Sequence, residues 1–106
     1  MRVLLDECVP RPLRRQFPTH DVWTIRDMGW AGKKNGELLA LMAANGFEVL
    51  LTVDRNLRFQ QNLAAAGVAI VIMVAATNRL PDLVPLLPSV EAAFATVRPG
   101  DAVEVS

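Results

Sequence analysis

Two aspartates close two apolar runs: Asp6 follows Val3-Leu4-Leu5, and Asp54 follows Val49-Leu50-Leu51-Thr52-Val53. Runs of this kind read as buried strands of a parallel sheet. In an open α/β sheet the pocket lies outside the carboxyl ends of the strands, so acids that close two strands can converge there. A third carboxylate, Glu37, falls in the first turn of a helix expected to open at Asn35, and could face the same point. Convergent carboxylates repel one another and cost stability unless a cation or a proton lies between them. Oxygen ligands suit a hard cation, Mg²⁺ or Mn²⁺, which keeps several waters and bridges to phosphate. Zinc is disfavoured, because the single cysteine, Cys8, and the single histidine, His20, lack ligand-like spacing. Each acid also has a structural reading. An Asp after a strand often caps the next turn, and Glu37 could simply complement a helix dipole. Glu7 is a further candidate metal ligand, with a solvent-facing carboxylate as its favoured reading.

The elements that must position these acids alternate in a βαβ pattern. Strands are expected over 2–6, 21–25, 48–53, 69–74 and 102–105. A short helix over 10–17 would carry Arg11, Arg14 and Arg15 on its solvent side, with Pro10 in its first turn. The next helix has Asn35 as its N-cap, packs Leu38, Leu41 and Met42 on the sheet, and stops at Asn45-Gly46. A third helix over 57–66 ends at Gly67. A fourth region, 80–97, holds Pro81, Pro85 and Pro88 and reads as two helical pieces broken near Pro88. Trp23 is read as core, Trp30 as core or interface, and His20 is given no catalytic role.

With 106 residues, the chain is long enough for one domain, 1–106, and too short for two separate cores. An apolar fraction of 52% and a mean hydropathy of +0.28 are high for this size, which leaves surface that a second copy or a partner could cover. A homodimer is therefore one expectation. Eleven basic and eleven acidic residues cancel, so a nucleic-acid contact must come from a local patch and not from a global positive field. The sequence runs into a strand without a signal-peptide pattern, and a lone cysteine cannot form an internal disulfide, so a cytoplasmic location is expected. No membrane partner is expected either: the longest apolar run, 68–76, has nine residues, against the roughly 20 that a spanning helix needs.

Several segments taken together carry a resemblance. They are Leu5-Asp6-Glu7-Cys8 followed by Pro10, Met28-Gly29-Trp30, Lys34-Asn35-Gly36-Glu37-Leu38-Leu39, Thr52-Val53-Asp54-Arg55-Asn56-Leu57 and Gln60-Gln61-Asn62-Leu63. The chain resembles a short PIN-like domain family of unknown function that is related to VapC-type toxin ribonucleases. That resemblance covers most of the chain, including Thr77-Asn78-Arg79-Leu80 and Pro99-Gly100. It implies a single three-layer α/β/α domain with a central, mainly parallel sheet and an acidic, divalent-metal pocket at the sheet's carboxyl edge. It further implies that Asp6, Glu37 and Asp54 are the catalytic and metal-holding residues of a Mg²⁺- or Mn²⁺-dependent ribonuclease. Such an enzyme could be the toxin of a toxin-antitoxin pair, with RNA as substrate and an antitoxin protein as partner. Arg55 and Arg58 would grip flanking phosphates, and Thr52, Asn35, Asn56, Gln60 and Gln61 would complete the substrate contacts. Lys33, Lys34 and the Arg11, Arg14, Arg15 group lie farther out, and for the arginines a solvated helix face is the favoured reading. Asn35 and Gly36 stand where many relatives carry acids, and Asn56 stands where Asp is frequent. Both departures lower the charge of the pocket.

Two rival readings follow. A catalytically weak or inactive PIN-like module would act by binding RNA or a protein partner. A phosphoacceptor receiver domain would also place acids after its first and middle strands, but here no lysine follows the apolar 69–74 strand to pair with a phosphate.

Overall fold

The computed structural model describes residues 1–57 and 63–106. Five strands, β1 (Arg2–Leu5), β2 (Asp21–Thr24), β3 (Val49–Thr52), β4 (Ala69–Met73) and β5 (Ala102–Val105), form one sheet in the order β2-β1-β3-β4-β5. Every pairing is parallel. The helices are α1 (Asn35–Ala44), α2 (described over Leu63–Ala66), α3 (Leu80–Leu83) and α4 (Leu87–Thr96), with 3₁₀ segments over Arg11–Gln16 and Val84–Leu86.

Strand alternation sorts the core into two layers. Val3, Leu5, Val49, Leu51, Val71 and Met73 pack against Leu13, Phe17, Leu83, Val90 and Phe94, from the 3₁₀ segment with its C-cap, α3 and α4. Leu4, Leu50, Ile70 and Ile72 point the other way, onto Leu38, Leu39 and Met42 of α1 and Leu63 of α2. Helices thus cover both faces, giving the expected single α/β domain with a central parallel sheet. β3 and β4 are buried along their whole length, which is why they read as unbroken apolar runs. Each fully buried Leu or Ile contributes about 1.5–3 kcal/mol relative to exposure.

Four local expectations are corrected. Trp23 is not core: β2 is an edge strand, its alternation turns Thr24 inward, and Trp23 stays 38% exposed. Its indole N–H donates to Asp21 Oδ1 at 2.7 Å, and the Arg2 guanidinium lies between it and Phe47, 5.8 and 4.3 Å from the two rings. Lys34, not Asn35, is the N-cap of α1. Pro10 is the N-cap of the 3₁₀ segment, and Pro12 lies within its first turn. Pro88 lies in the first turn of α4, where a missing N–H is tolerated, and the break in 80–97 falls instead at the 3₁₀ segment holding Pro85. The stop of α1 is as expected, with Gly46 at φ +76°.

Candidate functional site

The β1–β3 register decides what meets at the sheet edge. Leu5 pairs with Leu51, so the next residues, Asp6 and Thr52, lie side by side where the two strands end. The Asp6 amide extends the ladder to the Leu51 carbonyl at 3.0 Å. The buried Thr52 hydroxyl donates to Asp6 Oδ2 at 2.7 Å and accepts the Asp54 amide at 3.0 Å. Asp6 Oδ1 accepts the Glu7 amide at 2.9 Å, and Asp54 Oδ1 accepts the Asn56 amide at 3.0 Å. One threonine therefore ties together the two strand-closing aspartates. The strand order reverses between β1 and β3, and in such sheets that switch point is where ligands bind.

The remaining expected site residues fall elsewhere or do other work. Glu37, exposed in the first turn of α1, pairs with Lys33 at 3.5 Å. The exposed Glu7 does not simply face solvent, because its Oε1 accepts the Gly32 amide at 3.0 Å and braces the loop before α1. Arg55 is tied through Nε to Glu104 on β5 at 3.0 Å. Asn35 is the first residue of α1, and Asn56 contributes its backbone amide to Asp54. Arg58, Gln60 and Gln61 lie outside the described residues. Among the described residues, no three or more His, Cys, Asp or Glu side chains gather closely enough to hold one metal ion. The arrangement is a linked pair, Asp6 and Asp54, with Glu37 turned to a lysine. Mg²⁺ characteristically takes one or two carboxylates and completes its shell with waters and substrate phosphate. The donor chemistry of the pair therefore fits Mg²⁺ or Mn²⁺ as a partial, open shell.

Sequence reasoning missed two members of this rim. Cys8 Sγ lies 3.6 Å from Asp6 Oδ2 and 3.5 Å from Thr52 Oγ1. Burial pushes its thiol pKa up; hydrogen bonds to the Val53 backbone and Thr52 hydroxyl oppose this, and the Asp6 charge reinforces it. Asp27 is the second. Its Oδ2 accepts the Thr24 amide at 3.0 Å while its own amide donates to Thr24 Oγ1 at 2.9 Å, a reciprocal box across Thr24-Ile25-Arg26-Asp27. Arg11 and Arg14 then close on the same carboxylate at 2.8 and 3.0 Å. The Thr24 amide, followed by its hydroxyl and the two guanidiniums, holds the Asp27 carboxyl below the usual range, against the opposing effect of burial. A Thr-x-x-Asp spacing was the available signal. The 3₁₀ face of Arg11 and Arg14 is thus partly committed to Asp27.

A cavity of about 440 Å³ opens beside Asp6 at the carboxyl ends of β1 and β2, with Glu7, Thr24, Arg11 and Arg26 among its walls. Trp30, by contrast, is core, packed edge-on to Phe47 at 5.8 Å. His20 sits between Phe17 and Phe94 and meets Glu91 at 3.1 Å, away from this rim.

Comparisons with protein-family models, curated proteins and solved structures found no significant match. What these side chains can do is therefore read from their own geometry. No described helix is long and apolar enough to cross a membrane.

Proposed function

We propose that this protein is a Mg²⁺- or Mn²⁺-dependent ribonuclease of PIN-like type, acting at the β1–β3 switch point. The observation that supports it is the Thr52 hydroxyl, which donates to the Asp6 carboxylate and accepts the Asp54 backbone amide where β1 and β3 end. Asp6 and Asp54 would hold the cation. Their oxygens are pre-set by the Thr52 hydroxyl and by two backbone amides, so little ordering remains when a ligand arrives. A bound Mg²⁺ or Mn²⁺ would supply an activated water and neutralise charge on the scissile phosphate. Thr52 acts as the positioning residue of the pair.

The test is cleavage of single-stranded RNA by purified protein with Mn²⁺. Asp6→Asn and Asp54→Asn should each lower the rate by about 100-fold or more. Cleavage that survives both substitutions would overturn the proposal.

A second reading has its own support. Glu37 faces Lys33 and not the aspartate pair, which favours a module that binds RNA or a protein partner, such as an antitoxin, without cutting. Binding of RNA with no cleavage at any Mn²⁺ concentration would favour it. The receiver reading shares the strand order, but the chain's lysines are Lys33 and Lys34, neither of which follows a strand end.

A further inference from the structure

The cavity beside Asp6 has walls of opposite charge. Asp6 and Glu7 follow β1, Arg26 follows β2, and Arg11 comes from the start of the 3₁₀ segment. Arg26 is exposed and has no ion pair among the described residues. Its backbone is nonetheless fixed. The Thr24–Asp27 box encloses it, and the Gly29 amide donates to its carbonyl at 3.0 Å. Arg11 reaches Asp27 Oδ1 through one terminal nitrogen at 2.8 Å, and a guanidinium has five donors in all. Asp27 therefore orients Arg11 without exhausting it. On the other flank of the aspartate pair, Arg55 is drawn to Glu104 on β5. Among the cavity's own lining residues, the cationic groups are therefore Arg26 and Arg11, beside Asp6.

From this we infer that the cavity is a phosphodiester subsite, in which Arg26 and Arg11 hold a phosphate of a single RNA strand next to Asp6. The assignment of RNA rests on the ribonuclease reading; the anion subsite itself rests on the cavity and its two guanidiniums. Arginine suits the role because its planar fork matches two phosphate oxygens at once. The volume is of the size that takes a nucleotide-sized ligand. The Asp6 and Glu7 carboxylates repel phosphate, so an anion in the cavity is held by the guanidiniums. Arg26 and Arg11 are thereby positioning residues for the strand.

The deciding experiment measures binding in two arms, both in EDTA. In the first, fluorescence anisotropy follows a labelled single-stranded oligoribonucleotide; in the second, amide chemical shifts follow titration with inorganic phosphate. Arg26→Ala should weaken RNA binding about tenfold and lower the slope of log K against log salt by about one. Arg11→Ala should act in the same direction, and Arg26→Lys should restore part of the affinity. Arg98→Ala, on the opposite edge of the sheet before β5, should leave binding unchanged. Phosphate should shift the amides of residues 24–27 in the wild type and not in Arg26→Ala. RNA bound or cleaved by Arg26→Ala as well as by the wild type would overturn the subsite while leaving the ribonuclease reading intact. Arg26-dependent phosphate binding without any RNA binding or cleavage would keep the subsite and sink the ribonuclease reading. Neither ligand bound by the wild type would overturn the inference.

Discussion

Asp6 and Asp27 close neighbouring strands on the same rim, yet their charges are handled in opposite ways. Asp27 accepts from the Thr24 amide and from two guanidiniums, Arg11 and Arg14, so its negative charge is balanced inside the fold. Asp6 is held as firmly, but by the Glu7 amide, the Thr52 hydroxyl and the Cys8 thiol, all neutral donors. Hydrogen bonds of this kind fix where a carboxylate points without cancelling its charge. Folding alone accounts for Asp27, which ties the 3₁₀ segment to the turn after β2. Asp6 meets no cationic partner among the described residues, and that difference is what the proposed metal role uses.

Removing Asp27, and removing the hydroxyl that holds Asp6, should divide the two roles, the first acting mainly on stability and the second mainly on function. Asp27→Ala should have the larger cost, about 2–3 kcal/mol in urea unfolding, because it strips an amide and two guanidiniums of their shared acceptor. Much of that loss should disappear in acid. The Asp27 carboxyl titrates lower in the folded protein than in the unfolded chain. Its stabilisation is therefore complete above the unfolded carboxylate range, near about 3.9, and is lost as pH falls through the lower folded value. Urea midpoints of the wild type and Asp27→Ala should converge over that acid window. Equal separation at neutral and acid pH would show that Asp27 works through shape and not through charge.

Thr52→Val should cost less, about 1–2 kcal/mol, since it removes one buried hydroxyl and leaves Asp6 Oδ2 without its shortest hydrogen bond. Its signature should be larger on function. With the bridge gone, RNA cleavage should fall by about tenfold or more while both aspartates remain. An unchanged cleavage rate in a folded Thr52→Val protein would remove Thr52 from the site.

The contrast also explains what could be read from the sequence. β3 and β4 are buried on both faces, so their apolar runs located them to within one residue at either end, and β5 was placed at its observed bounds. Asp6 and Asp54 were legible because an acid directly after such a run is conspicuous. Trp23 misled, because edge position is set by strand order and strand order is not written locally. Asp27 escaped notice because two of its partners, Arg11 and Arg14, are brought to it only when the 3₁₀ segment packs beside β2. A lone cysteine reads locally as a zinc or disulfide residue, whereas the place of Cys8 beside Thr52 depends on the β1–β3 pairing. Glu37 reads as a partner of the aspartates only while Lys33 is overlooked, which lies four residues before it, a spacing at which helical charges meet.

Asp54 offers the smallest effect and the sharpest distinction. Its Oδ1 accepts the Asn56 amide, and asparagine keeps that acceptor, so Asp54→Asn should preserve or slightly raise stability in EDTA, within about 0.5 kcal/mol. A clear loss on the same melting curves would show that the negative charge of Asp54 itself stabilises the turn. Adding Mn²⁺ then separates the roles. At ten times its dissociation constant, a ligand that binds only the folded state stabilises it by about 1.4 kcal/mol. The wild type should gain that increment and Asp54→Asn should not, whereas Asp27→Asn, whose charge is already balanced within the fold, should start lower and still gain it in full. Equal gains in all three proteins would place the cation away from the switch point, and the unbalanced charge on Asp6 would then need another explanation.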